Sequence, residues 1–412
     1  MLLKRMQPYW RNILKNKKIF TGNYYICKKF AMILIVLIVF TGCGQNRITE
    51  KEEKKETVES EMNAEVKKTA QTFRSVYMKE KSELNTLKVK RKIINCLEEK
   101  GYAAVDCDNQ IDMVNREKVE EFCKAAEKEE QAAVDIVAVF DEGEIIQYHL
   151  ESMNGKINVR LCQVKWEDNT PQANYYDEYE AYEWKYTEKG YLFLEEYHPP
   201  GFDGAPGETG FRVQPLDKTC RELNRKYVMP LGYALNNLLI TNWDNQNYTE
   251  LDFYDLYEKM YYMKYGKQVP YEANYGGVEY EVPEDEFEEV IKTYLPFSNT
   301  EIEKGTFYNS DNKTFRYRPR GLYDCEFPYE PYPEVISYEK LQDGTLKLTI
   351  EAVWEIRMLD QAITSELMIK PMEDGSFQYL SNKVISSDQN ANAGWYMPRL
   401  TEEEWEENYS NN

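Results

Sequence analysis

Histidine is nearly absent from this chain, with only His149 and His198 in 412 residues. Zinc hydrolases and histidine-based triads draw their ligands and general bases from that residue, so both chemistries have almost nothing to work with. His149 shares a strand face with Gln147 and reads as an edge or solvent-facing residue; His198 opens a Pro/Gly-rich loop. Past residue 43 there are six cysteines (Cys96, Cys107, Cys123, Cys162, Cys220 and Cys325) and no C-x-x-C, which removes zinc ribbons and thioredoxin-like redox pairs. Free buried thiols and disulfides both fit their spacing. Clustered positive charge is missing too. Of 51 Lys and Arg, eight fall in residues 1–42, which hold no acid; the chain from Cys43 onward sets 43 basic residues against 72 acidic ones, a net charge of −29. Nucleic acid repels such a body, so it is excluded as a partner.

A membrane-spanning run is also lacking. Lys28 and Lys29 precede an apolar stretch, residues 30–40, that is eleven residues long, whereas about 20 are needed to cross the hydrocarbon core. A basic approach and a short apolar core describe a signal peptide. The stretch ends in Thr41-Gly42-Cys43-Gly44. A small residue just before a cysteine resembles the lipobox of bacterial lipoproteins, with Phe40 where that family usually has Leu. The resemblance implies cleavage ahead of Cys43, a diacylglycerol thioether on its sulfur, and a location on the extracytoplasmic face of the cell membrane. Two acyl chains anchor durably where one is marginal. Residues 1–42 are then a leader and 43–62 an anchor plus a charged, flexible tether. The polar run from Gly44 to Met62 has no apolar period, and nineteen residues at about 3.3–3.6 Å each reach roughly 60 Å.

The body begins with helical spacing: Val66, Ala70, Phe73 and Tyr77, then Val89, Ile93 and Leu97, then Val119, Phe122, Cys123 and Ala126. The period then becomes two, through Val134–Phe140, Ile146–Leu150, Ile157–Leu161, Tyr182–Tyr186 and Tyr191–Phe193. Glu142-Gly143, Asn154-Gly155 and Lys189-Gly190 supply the turns. In the third of these strands the apolar phase slips from Leu161 to Cys162, Val164 and Trp166, as a bulge would cause. A Pro/Gly-dense linker at 199–213 separates this domain, 63–198, from a second at 214–412. There Pro230 is expected to start a helix carrying Leu231, Ala234, Leu235, Leu238 and Leu239. Further helices lie at 251–265 and around Phe287–Leu295, followed by strands near 305, 346–354, 363–370 and 376–385. Thr401 and Glu404 form a capping box ahead of a last helix. Helices followed by antiparallel meanders, twice in tandem, give an α+β fold. Tyr332-Pro-Glu-Val335, Asp343-Gly-Thr-Leu-Lys-Leu-Thr-Ile350 and Asp374-Gly-Ser-Phe-Gln-Tyr-Leu-Ser-Asn-Lys383 resemble an uncharacterised family of lipoproteins from Gram-positive bacteria. That resemblance supports the envelope location and implies no particular chemistry.

Asp106–Glu117 spaces oxygen donors as an EF-hand loop does, but its sixth position is Ile111 where the sharp turn needs glycine, so it reads as an inter-helix loop. No metal, cofactor or catalytic residue is assigned. On the 251–265 helix, Phe253, Leu256, Tyr257, Met260 and Tyr261 make one apolar stripe. Tyr254, Tyr262 and Tyr265 point elsewhere and are the candidate ligand-binding residues, a platform for sugar rings or a protein partner. The expected function is a lipid-anchored, non-catalytic binding module for an envelope glycan, peptide or protein. The alternatives are an Asp/Glu hydrolase and a purely structural envelope component.

Overall fold

A computed structural model describes residues 45–409 apart from 203, 275, 326–328 and 389, with side chains from residue 56 onward. The leader and Cys43 lie outside the described residues. The architecture is α+β with several antiparallel sheets, and the chain divides into two compact units, Met1–Pro215 and Leu216–Asn412.

In the first unit, helices α1 (Gln45–Gln71), α2 (Arg74–Lys79) and α3 (Leu87–Glu99) precede strand β1 (Ala103–Asp106) and helix α4 (Arg116–Glu127). Strands β2 (Ala132–Val139), β3 (Ile145–Met153), β4 (Lys156–Glu167) and β5 (Thr170–Glu180) complete a five-stranded sheet in sequence order, with β1 parallel to β2 and every other pair antiparallel. A second, three-stranded antiparallel sheet follows, made of β6 (Glu183–Tyr186), β7 (Tyr191–Glu195) and β8 (Glu208–Arg212).

Both faces of the large sheet are buried. Val105, Ile136, Leu150 and Val159 pack with Val119, Phe122 and Ala126 of α4 and with Leu192, Leu194 and Phe211 of the small sheet. On the other face Val137, Val139, Ile145, Cys162 and Val164 meet Val66, Ala70 and Phe73, and Val89, Ile93 and Leu97 of α3. Each large apolar side chain so buried contributes about 1.5–3 kcal/mol. This two-sided burial explains the phase slip in β4. No bulge interrupts its pairing with β3, which runs without a break from Met153↔Lys156 to Ile145↔Val164; Ile157 and Val159 serve one core, Cys162 and Val164 the other. The register shift lies instead between β4 and β5, where Gln163↔Tyr175 is followed by Val164↔Ala173, leaving Asn174 as the extra residue. At Asn154-Gly155 both residues have positive φ, 53° and 75°, as a two-residue hairpin of the favoured twist demands.

Two segments expected to be irregular are ordered. The polar run after Gly44 is helical, as part of α1, whose far end carries Met62, Val66 and Ala70 into the core. Glu, Lys and Gln are good helix formers, and a packed end supplies the nucleus that an isolated polar helix lacks. The second half of the Pro/Gly-rich 199–213 stretch is β8, paired with β7 inside the first unit.

In the second unit, α5 (Lys218–Leu223) runs into a π turn (Asn224–Val228). Then come α6 (Phe253–Tyr265), β9 (Tyr280–Pro283), α7 (Glu284–Tyr294), α8 (Asn299–Lys304), β10 (Tyr308–Asn309) and β11 (Thr314–Tyr317). The antiparallel meander β12 (Tyr332–Lys340), β13 (Leu346–Val353), β14 (Thr364–Pro371) and β15 (Phe377–Val384) leads to α9 (Glu402–Tyr409). Leu348, Ile350 and Ala352 of β13 share one core with Leu256, Tyr257 and Met260 of α6 and Phe287, Val290 and Ile291 of α7. The helix expected from Pro230 does not form. Gly232 and Leu235 take positive φ, 61° and 50°, and the Asn236 amide donates to the carbonyls of Gly232 and Ala234 at 3.2 and 3.1 Å. A local amide that binds the backbone in this way competes with the helix ladder. Leu231, Leu238 and Leu239 are nevertheless buried.

Candidate functional site

Asp252 caps α6, accepting the backbone N–H of Tyr254 and Asp255 at 3.0 and 2.9 Å. The helix places the three candidate tyrosines differently. Tyr254 is half-buried: its hydroxyl accepts the Phe307 N–H at 2.8 Å, and its ring meets Phe287 edge-on at 5.6 Å. Tyr262 and Tyr265 are exposed, with the Lys264 ammonium 5.3 Å from the Tyr265 ring. Only these two of the three present faces to solvent.

The same helix carries a group that periodicity did not single out. Asp255 is fully buried and accepts Arg320 through both oxygens, at 2.9 and 2.6 Å. It also accepts Arg399 Nε at 2.7 Å and the Tyr396 hydroxyl at 3.0 Å. Arg399 further pairs with Glu258 and donates to the Arg318 carbonyl at 2.6 Å. Burial, and then the charge of Asp255, push the Asp252 carboxyl up to about 6, against the pull of Arg399. Both oxygens of Asp255 are engaged, and the cluster ties the 396–399 segment to α6.

The other sequence candidates are similarly absorbed into structure. His149 lies between Asp135 at 2.9 Å and Glu151 at 3.3 Å. In the EF-hand-like loop, Asp106 is buried and accepts the Ile111 N–H at 2.5 Å, and Asp108 faces a cation, the Lys90 ammonium, at 3.5 Å. Lys90 is itself buried and held 2.8 Å from Asp141. The six described cysteines are free thiols. A cavity of about 240 Å³ lined by Ala132, Ala133, Glu151, Ser152, Met153 and Asn158 is smaller than usual ligand pockets, and its one ionisable group, Glu151, is already paired with Arg160.

A further surface lies on the first unit, where Leu192, Leu194 and Phe211 of the small sheet pack on Tyr148 and Leu150 of β3 and Val159 of β4. Alternation along β5 puts Tyr175, Asp177 and Tyr179 on one face, and Tyr179 packs onto the core beneath the small sheet. Tyr148 of β3 meets Phe211 of β8 edge-on at 5.1 Å. The Tyr175 hydroxyl donates to Asp177 at 2.7 Å. Just past β7, the Glu196 N–H donates to the Gly207 carbonyl at 2.9 Å, fixing the residue where the strand ends. Its carboxylate lies 3.6 Å from His198 Nε2. Burial, and then the charge of Asp177, raise the Glu196 carboxyl above the usual range, with His198 partly offsetting them. Burial chiefly, with Asp177 and Glu196 adding to it, raises the Tyr175 and Tyr179 hydroxyls as well. These groups therefore share one electrostatic neighbourhood. Open rings flank the end of β7 in sequence. Tyr182 is 66% exposed and Tyr197 56%, with centroids 5.3 Å apart; Phe202 is 51% exposed and lies 3.9 Å from the His198 ring. The arrangement can stack on a flat or apolar ligand surface, accept hydrogen bonds and attract a cation.

A sequence profile for DUF6070, a family of unknown function, matches residues 56–399, and the chain belongs to that family. No curated protein and no solved structure matches it. Among the described residues no helix is long and apolar enough to cross a membrane.

Proposed function

We propose that the chain is a lipid-anchored protein of the extracytoplasmic membrane face, a binding module whose first unit holds an envelope glycan, peptide or protein on the Tyr175–Glu196 surface. The observation that carries this reading is the set of three rings, Tyr182, Tyr197 and Phe202, each more than half exposed, the first two 5.3 Å apart and the third against His198. Large amphipathic rings are the residues that dominate binding energy at interfaces. The anchor rests on the Thr41-Gly42-Cys43 sequence and its apolar approach.

Two measurements test it. Metabolic labelling with a fatty-acid analogue should mark the wild type and leave Cys43→Ala unmarked. A glycan and peptide array probed with the full-length chain should give discrete hits that weaken at least tenfold with Tyr182→Ala or Tyr197→Ala and survive Tyr262→Ala. Hits lost only with Tyr262→Ala would transfer the site to α6. One feature favours the hydrolase alternative: Glu196 is a raised acid beside a second carboxylate, as glycoside cleavage requires. Release of reducing ends, abolished by Glu196→Gln, would decide for it.

A further inference from the structure

Tyr257, Tyr261 and Tyr265 recur at every fourth residue of α6 and so stand in one row, running from the core of the second unit to its surface. Tyr257 and Tyr261 are buried, and Tyr265 is exposed. Their ring centroids are 5.8 and 4.6 Å apart, and at the inner end Tyr257 lies 6.0 Å from the buried ring of Tyr317. The two innermost phenols each rest on a carboxylate. The Tyr257 hydroxyl donates to Glu286 at 2.6 Å and that of Tyr317 to Glu258 at 2.7 Å, the short separations of charge-assisted bonds. Packing alone would be served by Leu or Phe, which need no acceptor. Neighbouring aromatic rings pass electrons readily, and a phenol gives one up when its proton can move to a base at the same moment. Glu286 is placed to be that base. Burial first, and then the bond to Glu286, raise the Tyr257 hydroxyl far above its ordinary range, so it keeps its proton until an electron leaves. Glu258 is already paired with Arg399, whose charge opposes an arriving proton. The Lys264 ammonium, 5.3 Å from the Tyr265 ring, opposes positive charge at the outer end. Electron loss at the surface is therefore drawn inward, to Tyr257.

We propose that this row is a one-electron conduit ending at the Tyr257–Glu286 pair, and that its substrate is a diffusible oxygen-derived radical of the peroxyl class. The radical takes one electron at Tyr265 and a proton from solvent, becoming a hydroperoxide. The vacancy passes through Tyr261 to Tyr257, whose O–H bond breaks as an O–H bond forms on Glu286, leaving a neutral tyrosyl radical beside a carboxylic acid. In the test, the full-length chain in nonionic detergent is mixed with persulfate and a ruthenium tris-bipyridine sensitiser, flashed, frozen at set delays and read by electron paramagnetic resonance. The ruthenium(III) complex formed by the flash is the one-electron oxidant and is too bulky to enter the core. The wild type should give a long-lived tyrosyl signal. Tyr265→Phe should lower its yield severalfold, and Tyr257→Phe should abolish the long-lived component. Glu286→Gln keeps a hydrogen-bond acceptor but removes the base, and should shorten the lifetime about tenfold, the worth of a hydrogen bond to a charged group. Tyr182→Phe and Tyr197→Phe, in the first unit, should change neither yield nor lifetime. A long-lived signal that survives Tyr257→Phe, or a wild-type yield in Tyr265→Phe, overturns the conduit. An equal loss in Tyr182→Phe marks general oxidation of surface tyrosines and overturns it too. An unchanged unfolding midpoint confirms that each variant is folded, and Tyr265→Phe, at an exposed position, carries the test if Tyr257→Phe does not fold.

Discussion

Replacing Arg320 by Met removes two of the four hydrogen bonds that Asp255 accepts, those at 2.9 and 2.6 Å, and leaves Arg399 and Tyr396 to hold a fully buried carboxylate. Methionine fills a comparable volume, so the effect is electrostatic and not a cavity. Breaking a buried pair from one side costs about 3–5 kcal/mol, because the remaining charge keeps its desolvation penalty and loses its compensation. For a unit of this size each kcal/mol moves the midpoint by about 2–4 °C, giving an expected fall of roughly 6–20 °C. Arg320→Lys restores the charge without the two-pronged geometry and should recover only part of the loss. Thermal unfolding followed by circular dichroism reads the midpoint, and hydrogen exchange of the α6 amides assigns the loss to the second unit. A fall worth less than about 1 kcal/mol would show that the cluster behaves like a solvated surface pair and would refute its structural role.

Three more outcomes follow from the first unit. Asp141→Ala leaves the buried Lys90 ammonium without its 2.8 Å partner and should cost about 2–4 kcal/mol by the same reasoning; chemical denaturation checks it. The hydrogen bond to Asp135 first, then the charge of Asp135 and the bond to Glu151, raise the His149 pKa above 6.5 against burial and Arg160. Its stabilisation is therefore full below 6.5 and lost as pH rises through the folded value. The midpoint gap between wild type and His149→Gln should be widest near pH 5.5 and close by pH 8.5; a gap independent of pH would contradict the assignment. Glu196 is raised above 4.5, so its charge costs stability at neutral pH and nothing once the unfolded carboxyl is protonated. Glu196→Gln should raise the midpoint at pH 7.5 and lose that advantage near pH 4, whereas destabilisation at pH 7.5 would mark Glu196 as a structural residue.

Elements with a clean period and a turn residue at each end were legible. Phe287, Val290 and Ile291 of α7, Leu346–Ala352 of β13 and the Asn154-Gly155 hairpin lie as periodicity and turn chemistry dictate, because one buried stripe or one positive φ determines each. What escaped has physical causes. β5 carries tyrosines and acids on both of its faces, so no apolar alternation marks Thr170–Glu180, and Tyr175 and Asp177 stayed hidden with it. β4 is apolar on opposite faces at its two ends, which imitates a bulge. The 230–240 region has helical apolar spacing, and a single amide, Asn236, diverts it into turns. Asp255 was passed over because a lone acid inside an aromatic helix gives no sign of Arg320 and Arg399, which lie 65 and 144 residues away. The candidate surface joins residues from β3, β5 and the segment after β7, a juxtaposition that only the fold creates.

The most direct test of a ligand surface at Tyr197 uses a photoreactive benzophenone amino acid at position 197 of the full-length chain, with the same group at position 262 as a comparison, irradiated in intact cells. The account predicts a discrete cross-linked species from position 197 and none from position 262. A discrete species from 262 with nothing from 197 would contradict it.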